Sequence, residues 1–562
     1  MKKIFGIRTI VAAAAMALSF SFTALAKDAA NVSGCVIDNG QVNISGTAWE
    51  EADPAVAAGD AAAQAKAQVP DDGKYYLFEL QPYEDSIGSR GDYSAAVDQG
   101  DSFRFQVPFY KDGGDNRLFS RFVLAVNRGG KYEEISNQAY ITNPESIASY
   151  QESYPQVSTK KGLLIQNDMT ADAFDLGVKH VIVNIAFHQI LQSGGGITHQ
   201  YNGKTYHFNK SLIESYDNAF RLMTQKGMVV SAIVLNGWND QMPQLVYPGA
   251  QKSAAANYYM FNTSTKQGFE DTMAIMSFLA DRYSGKNIDY GRVSNWIIGN
   301  EINNNEQWNY AGPMAVEQYV KVYEKAFRVF YSAIKSQSAN ARVFFSTDFF
   351  WNQENTDKKY GARKVIDLFN QYVREGGQMD WGLAYHPYPI NLTEPEFWLD
   401  DGTGRITESF DTQVLNFKNL HVLTDYFQQD VMRNASGNVR HIILSEQGFT
   451  SKSPTRGDVP EQQAAAFAYA YFLVDSNPYI DAFILSRQVD AISEVNQYCA
   501  FGLWTVDMDR PDKVIAKSRK KIWSVFKYID TKNALKQTEF AKPIIGISKW
   551  SDVIPNFKYR EE

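Results

Sequence analysis

Two carboxylates stand at the ends of apolar runs. Glu301 closes "NWIIGNE", directly after Asn300, and Glu446 closes "HIILSE". A third run, "DWGLAYHPY", ends in His386 and Tyr388. A dry strand that ends in a carboxylate gives that group a rigid mount. Two groups mounted in this way suit glycosidic-bond hydrolysis. One protonates the leaving oxygen, and the other attacks the anomeric carbon or activates water. Their surroundings must push the two pKa values apart. Asn300 is placed to bond a sugar 2-hydroxyl, a contact that strengthens in the transition state. His386 and Tyr388 are placed to hold Glu446 ionised and oriented.

These residues need a scaffold that brings separate strand ends together. After Lys161 the chain alternates apolar, β-branched runs with helical patterns. The runs lie at 162–166, 180–187, 228–235, 295–299, 342–347, 380–386, 440–446 and 481–487. They lack strict alternation, as strands buried on both faces do. Phe269, Met273, Met276, Ala280 and Tyr283 keep helical spacing between two of them, and Gly285 is placed to end that helix. Eight strands alternating with helices predict a (β/α)8 TIM barrel over 161–540, with its site at the C-terminal strand ends. Glu301 then closes the fourth strand, Glu446 the seventh, and His386 and Tyr388 the sixth. Asp348 closes the fifth, Asn236 and Trp238 follow the third, and His188 follows the second. Trp238, Trp308, Trp351, Trp398 and Trp504 fall in βα loops, where aromatic faces suit the apolar faces of sugar rings.

"GNE" at the close of strand four and "SE" at the close of strand seven resemble clan A retaining glycoside hydrolases, a TIM-barrel superfamily. "YHPYP" resembles that clan's strand-six His/Tyr. "NQAYITNPE" and "YNGKTYHFN" resemble a bacterial branch with an N-terminal β-domain. The resemblance implies Glu301 as acid/base and Glu446 as nucleophile of a double displacement on a β-linked oligo- or polysaccharide. It departs in three places. Ile302 stands where many members have Pro, Arg487 stands where an aromatic follows strand eight, and the arginine near the barrel's start has no clear match.

The rest of the chain sets limits. Residues 27–145 carry short alternating runs split by Gly, Asp and Asn, which predict a β-sandwich-like domain. Residues 146–160 read as a linker and 541–562 as a C-terminal tail. Lys2, Lys3, Arg8, a short apolar run and "TALA" predict a secretory signal over 1–26, cleaved near Ala26, and hence a secreted or periplasmic protein with no membrane segment in its mature form. The net charge of −8 opposes nucleic acid as a partner. The seven histidines show no metal spacing, and the chemistry needs no cofactor. Cys35 and Cys499 form no Cys-x-x-Cys unit, and their pairing stays open. A transglycosylase would use the same two glutamates. A barrel that only binds glycans would need neither.

Overall fold

The computed structural model describes residues 28–50, 71–400 and 404–559. The expected signal segment and an Ala-rich insertion at 55–68 lie outside the described residues.

Eight parallel strands close into a barrel. They are β1 (Lys161–Leu164), β2 (His180–Ala186), β3 (Val229–Leu235), β4 (Asn295–Ile298), β5 (Arg342–Thr347), β6 (Trp381–Tyr385), β7 (Ile442–Gln447) and β8 (Ile480–Leu485). Each is followed by a helix: α1 (Thr170–Asp175), α2 (Lys210–Gln225), α3 (Lys266–Arg282), α4 (Val316–Lys335), α5 (Ala362–Gly376), α6 (Leu420–Phe427), α7 (Pro460–Ser476) and α8 (Lys521–Tyr528). The sequence expectation of a TIM barrel therefore holds, strand by strand. Ile182, Ile233, Leu235, Ile297, Phe344, Ala384, Ile443, Ala482 and Ile484 fill the interior. Branched side chains packed in layers make this a solid core that closes the barrel's lower part.

The N-terminal region forms two antiparallel sheets. One joins Asp28–Asp38, Gln41–Glu50 and Ser102–Pro108, and the other is built around Lys74–Leu80 and Arg121–Arg128. In Ser102–Pro108 every second residue is buried, so Phe103, Phe105 and Val107 face inward. Tyr75 of the other sheet meets Phe103 edge-on at 6.1 Å.

This domain docks on the barrel's outer helices. Phe119 and Tyr83 pack on Phe269 of α3 at 6.0 and 5.7 Å. Asp85 pairs with Lys325 of α4 at 2.8 Å, and Arg328 of α4 lies over the Tyr140 ring at 4.6 Å.

The segment set apart above as a C-terminal tail also packs back. Trp550 is fully buried and meets Phe472 of α7 at 4.9 Å. Cys35 and Cys499 are both free thiols.

At the strand starts, the charged groups are paired. Lys161 contacts Asp530 at 2.7 Å, and Asp481 takes Arg342 at 2.9 Å and His441 at 2.6 Å. The fully buried Arg440 lies over the Trp381 ring at 4.3 Å. It donates to the carbonyls of Met432 at 2.9 Å and Met379 at 3.1 Å.

Candidate active site

The turn after β4 has an unusual backbone. Gly299 and Glu301 both have positive φ, +80° and +37°. The left-handed region suits glycine but strains glutamate. Ser346, at the end of β5, holds the turn in place. Its Oγ accepts the Glu301 N–H at 2.8 Å, and its carbonyl accepts the Ile302 N–H at 2.9 Å.

A bulge aims the second glutamate. Leu444 pairs with Phe483 and Gln447 with Leu485, so three steps along β7 face two along β8. The extra residue falls at Ser445–Glu446. Such a bulge re-aims side chains at the rim of a barrel.

Hydrogen bonds tie these elements to β6. His386 Nδ1 lies 2.9 Å from Glu301 Oε1, and its Nε2 lies 2.9 Å from Ser445 Oγ. The Tyr388 hydroxyl donates to Glu446 Oε1 at 3.0 Å. The sequence expectation put both aromatic side chains on Glu446. Only Tyr388 is there; the His386 ring, wholly buried, bonds Glu301 instead.

The electrostatics follow this geometry. Burial pulls the His386 pKa down, but the hydrogen bond to Glu301 and the charges of Glu446, Glu301 and Asp348 outweigh it, and the net shift is upward. Burial, followed by the charges of Glu446 and Glu301, drives Tyr388 well above its ordinary value, so it remains a donor. Both carboxylates therefore act on the same two side chains.

Asp348 is buried and accepts from Asn303 Nδ2 at 2.6 Å and from the Phe350 N–H at 2.9 Å. Burial first, and then the Glu301 charge, push its pKa up to about 7. Asn300 is 8% exposed, and its side chain bonds nothing among the described residues. Its amide atoms are not among the enclosed ones, so they face the open mouth, where a ligand can meet them.

The remaining expected residues are more dispersed. Asn236 donates to the Leu245 carbonyl at 2.9 Å, and its enclosed Oδ1 has no partner. Trp238 is half-buried, bonded to Asp240 at 2.7 Å and packed on Tyr259 at 5.3 Å. His188 accepts the Gly237 N–H at 2.8 Å, and a Cβ on Gly237 would fall within 3.0 Å of that ring. Trp504 donates to Asp172 of α1 at 2.9 Å and lies under Arg519. Trp351 is fully buried and bonded to the Phe410 carbonyl, so it is core. Trp398 packs on Phe397 and Tyr469 at 5.5 and 6.1 Å.

Tyr258 was not singled out by the sequence. It follows β3, packs over the barrel's inner core and lies 6.1 Å from Trp308 at a 32° tilt. Burial and then the Glu446 charge raise its pKa. No local pattern marks it among the many Tyr of the chain. Among the described residues no group of three or more His, Cys, Asp or Glu is placed to hold a metal ion.

The closed eight-stranded sheet with polar strand ends defines a TIM-barrel protein with a candidate site at its mouth. Residues 153–553 match the family described as "Family of unknown function (DUF5722)", and the chain belongs to that family. No curated protein matches it. Among solved structures, it is similar to a family 39 glycoside hydrolase from the gut symbiont Bacteroides cellulosilyticus, at 14% identity over 83% of this chain and 78% of that one, with a TM-score of 0.43. It is similar to a family 1 β-glucosidase from Thermotoga maritima, at 12% identity over 70% and 97%, with a TM-score of 0.38. It is also similar to a β-D-glucuronidase of Dictyoglomus thermophilum, at 12% identity over 90% and 69%, with a TM-score of 0.35.

Proposed function

We propose that this chain is an exported retaining glycoside hydrolase that cleaves a β-linked oligo- or polysaccharide by double displacement. What supports this is the joining of two glutamates, one just after β4 and one on β7, through His386 and Tyr388, which follow β6. Glu446 is the nucleophile. Tyr388 occupies its Oε1, which leaves Oε2 to attack the anomeric carbon while the bond to the leaving oxygen breaks. Glu301 is the acid and gives that oxygen its proton. In the second step Glu301 takes a proton from water, and the water oxygen displaces Glu446 and restores both groups. His386 steadies Glu301 in each of its protonation states. Asn300, with its free amide, meets the sugar 2-hydroxyl, and Tyr258 with Trp308 offers a ring face beside it.

The test is hydrolysis of a panel of aryl β-glycosides and polysaccharides, with the wild type run beside Glu446→Gln. NMR reads the anomer that forms first. The expected result is a retained anomer from the wild type and no turnover by the variant. Direct formation of the inverted anomer would overturn the nucleophile assignment.

A further inference from the structure

The eighth strand ends at Leu485, and Arg487 follows two residues on. Leu485 pairs with Gln447, and the Ser486 N–H donates to the Gln447 carbonyl at 2.9 Å. Arg487 therefore leaves the barrel beside the strand end that carries Glu446. Its Nη2 donates to Oε1 of Glu494, which belongs to the one-turn helix Ile492–Val495. Each side chain is 30% exposed, so the pair borders open space.

That single bond leaves much of the pair's capacity unused. A guanidinium carries five N–H donors, and a carboxylate offers acceptor sites on both oxygens. Arg487 Nε and Glu494 Oε2 are enclosed and have no partner. An unmet donor and an unmet acceptor thus sit within one ion pair at the edge of the mouth. Tyr388 feels the Glu494 charge, and Glu494 feels that of Glu446.

We propose that Arg487 and Glu494 together form a sugar-hydroxyl subsite beside Glu446, and that this subsite selects neutral glycosides over uronides. The Arg487 charge is cancelled by its own partner, so it is not a spare cation for a substrate carboxylate. Lys520, the buried cation that follows on the same chain segment, is committed to Asp490 at 2.8 Å. The carboxylates of Glu446 and Asp490 both act on Glu494, and His386 is already bonded to Glu301. A uronide would bring another negative charge up to Glu446 and Glu494, where a protein surface makes repulsion stronger than in bulk water. A hydroxyl both donates and accepts, so two neighbouring hydroxyls match the pair without adding charge. The glycosidase assignment explains why a sugar comes to this mouth; the charge balance is independent of it.

Two measurements test the subsite. The first compares kcat/KM on neutral aryl β-glycosides with that on the matching aryl β-glucuronide. The second uses calorimetry of Glu446→Gln with neutral and with uronic-acid oligosaccharides, which reads binding without turnover. The neutral substrate should be favoured by roughly 100-fold or more, the order of discrimination a pocket gives against one ill-fitting group. Glu494→Gln keeps the shape and removes the charge, so it should narrow that ratio by about tenfold. Arg487→Lys, which keeps the charge but loses the planar fork, should weaken neutral sugars at an unchanged melting temperature. A wild type that favours the glucuronide, or a Glu494→Gln ratio equal to the wild type's, would overturn the proposal. If Glu446→Gln binds neutral oligosaccharides selectively while the wild type cleaves nothing, the subsite stands and the hydrolase reading falls. Absence of both binding and turnover would overturn both.

Discussion

The two ends of the barrel handle charge differently. At the strand starts, Lys161, Arg342, His441 and Arg440 each have a carboxylate or a set of carbonyls within bonding distance. At the strand ends, Asn300 lacks a partner, Arg487 and Glu494 carry unmet atoms, Asp348 sits beside Glu301, and Glu301 has a strained backbone. The first arrangement stabilises the fold. The second withholds stability, as sites prepared for a ligand do. At one end the charged groups are committed to partners, while at the other several charged and amide groups are not.

The largest contrast should come from exchanging a group at each end. Glu446→Ala should lose roughly 10⁴-fold or more in kcat with little change in melting temperature. Azide should restore turnover and give the inverted product. Glu301→Ala should instead keep activity on aryl glycosides whose leaving groups need no proton, and azide there should give a retained product.

At the opposite end, Arg440→Met strips donors from buried carbonyls and should cost about 3 kcal/mol of stability, read by urea denaturation. The kcat of the folded fraction should be unchanged. If Arg440→Met lowered kcat and left stability intact, the division between the two ends would fail.

Asn300→Ala sharpens the comparison. If its amide waits for the 2-hydroxyl, kcat should fall by roughly tenfold or more, with a smaller effect on KM. An unchanged rate would remove Asn300 from the site.

The smallest effect concerns Asp348, whose pKa rises from an ordinary value near 3.9 to about 7. A carboxyl raised by folding supports the native state below its unfolded pKa and loses that support as pH climbs through about 7. Asp348→Asn keeps an acceptor for Asn303 without the charge. Its melting temperature should match the wild type's near pH 4 and exceed it by a few degrees at pH 8. Equal melting curves at both pH values would place Asp348 outside the strained set.

The sequence carried the mounting of the site but not its fine geometry. Apolar runs that stop at Asn300-Glu301 and Ser445-Glu446 mark strand ends, because burial of both faces leaves a polar residue nowhere else to go. The helical spacing from Phe269 to Tyr283 likewise marks α3. The bulge at Ser445 was not legible, because it depends on how many β8 residues lie opposite. The contact between His386 and Glu301 depends on where β6 stands between β4 and β7. Trp351 failed as a sugar platform because a loop folded back over it, which loop length alone does not disclose. Trp550 seats the final segment through a few scattered apolar side chains, too sparse to give a periodic signal.

The turn at Gly299–Glu301 has a consequence for any attempt to transplant this chemistry. Its two positive φ values are held by a hydroxyl and a carbonyl from one residue, Ser346, 45 positions away. Grafting "GNE" alone into another barrel would let the turn relax and swing the carboxylate out of its position beside His386. The portable unit is the glycine, the glutamate and the neighbouring strand's serine, moved together or not at all.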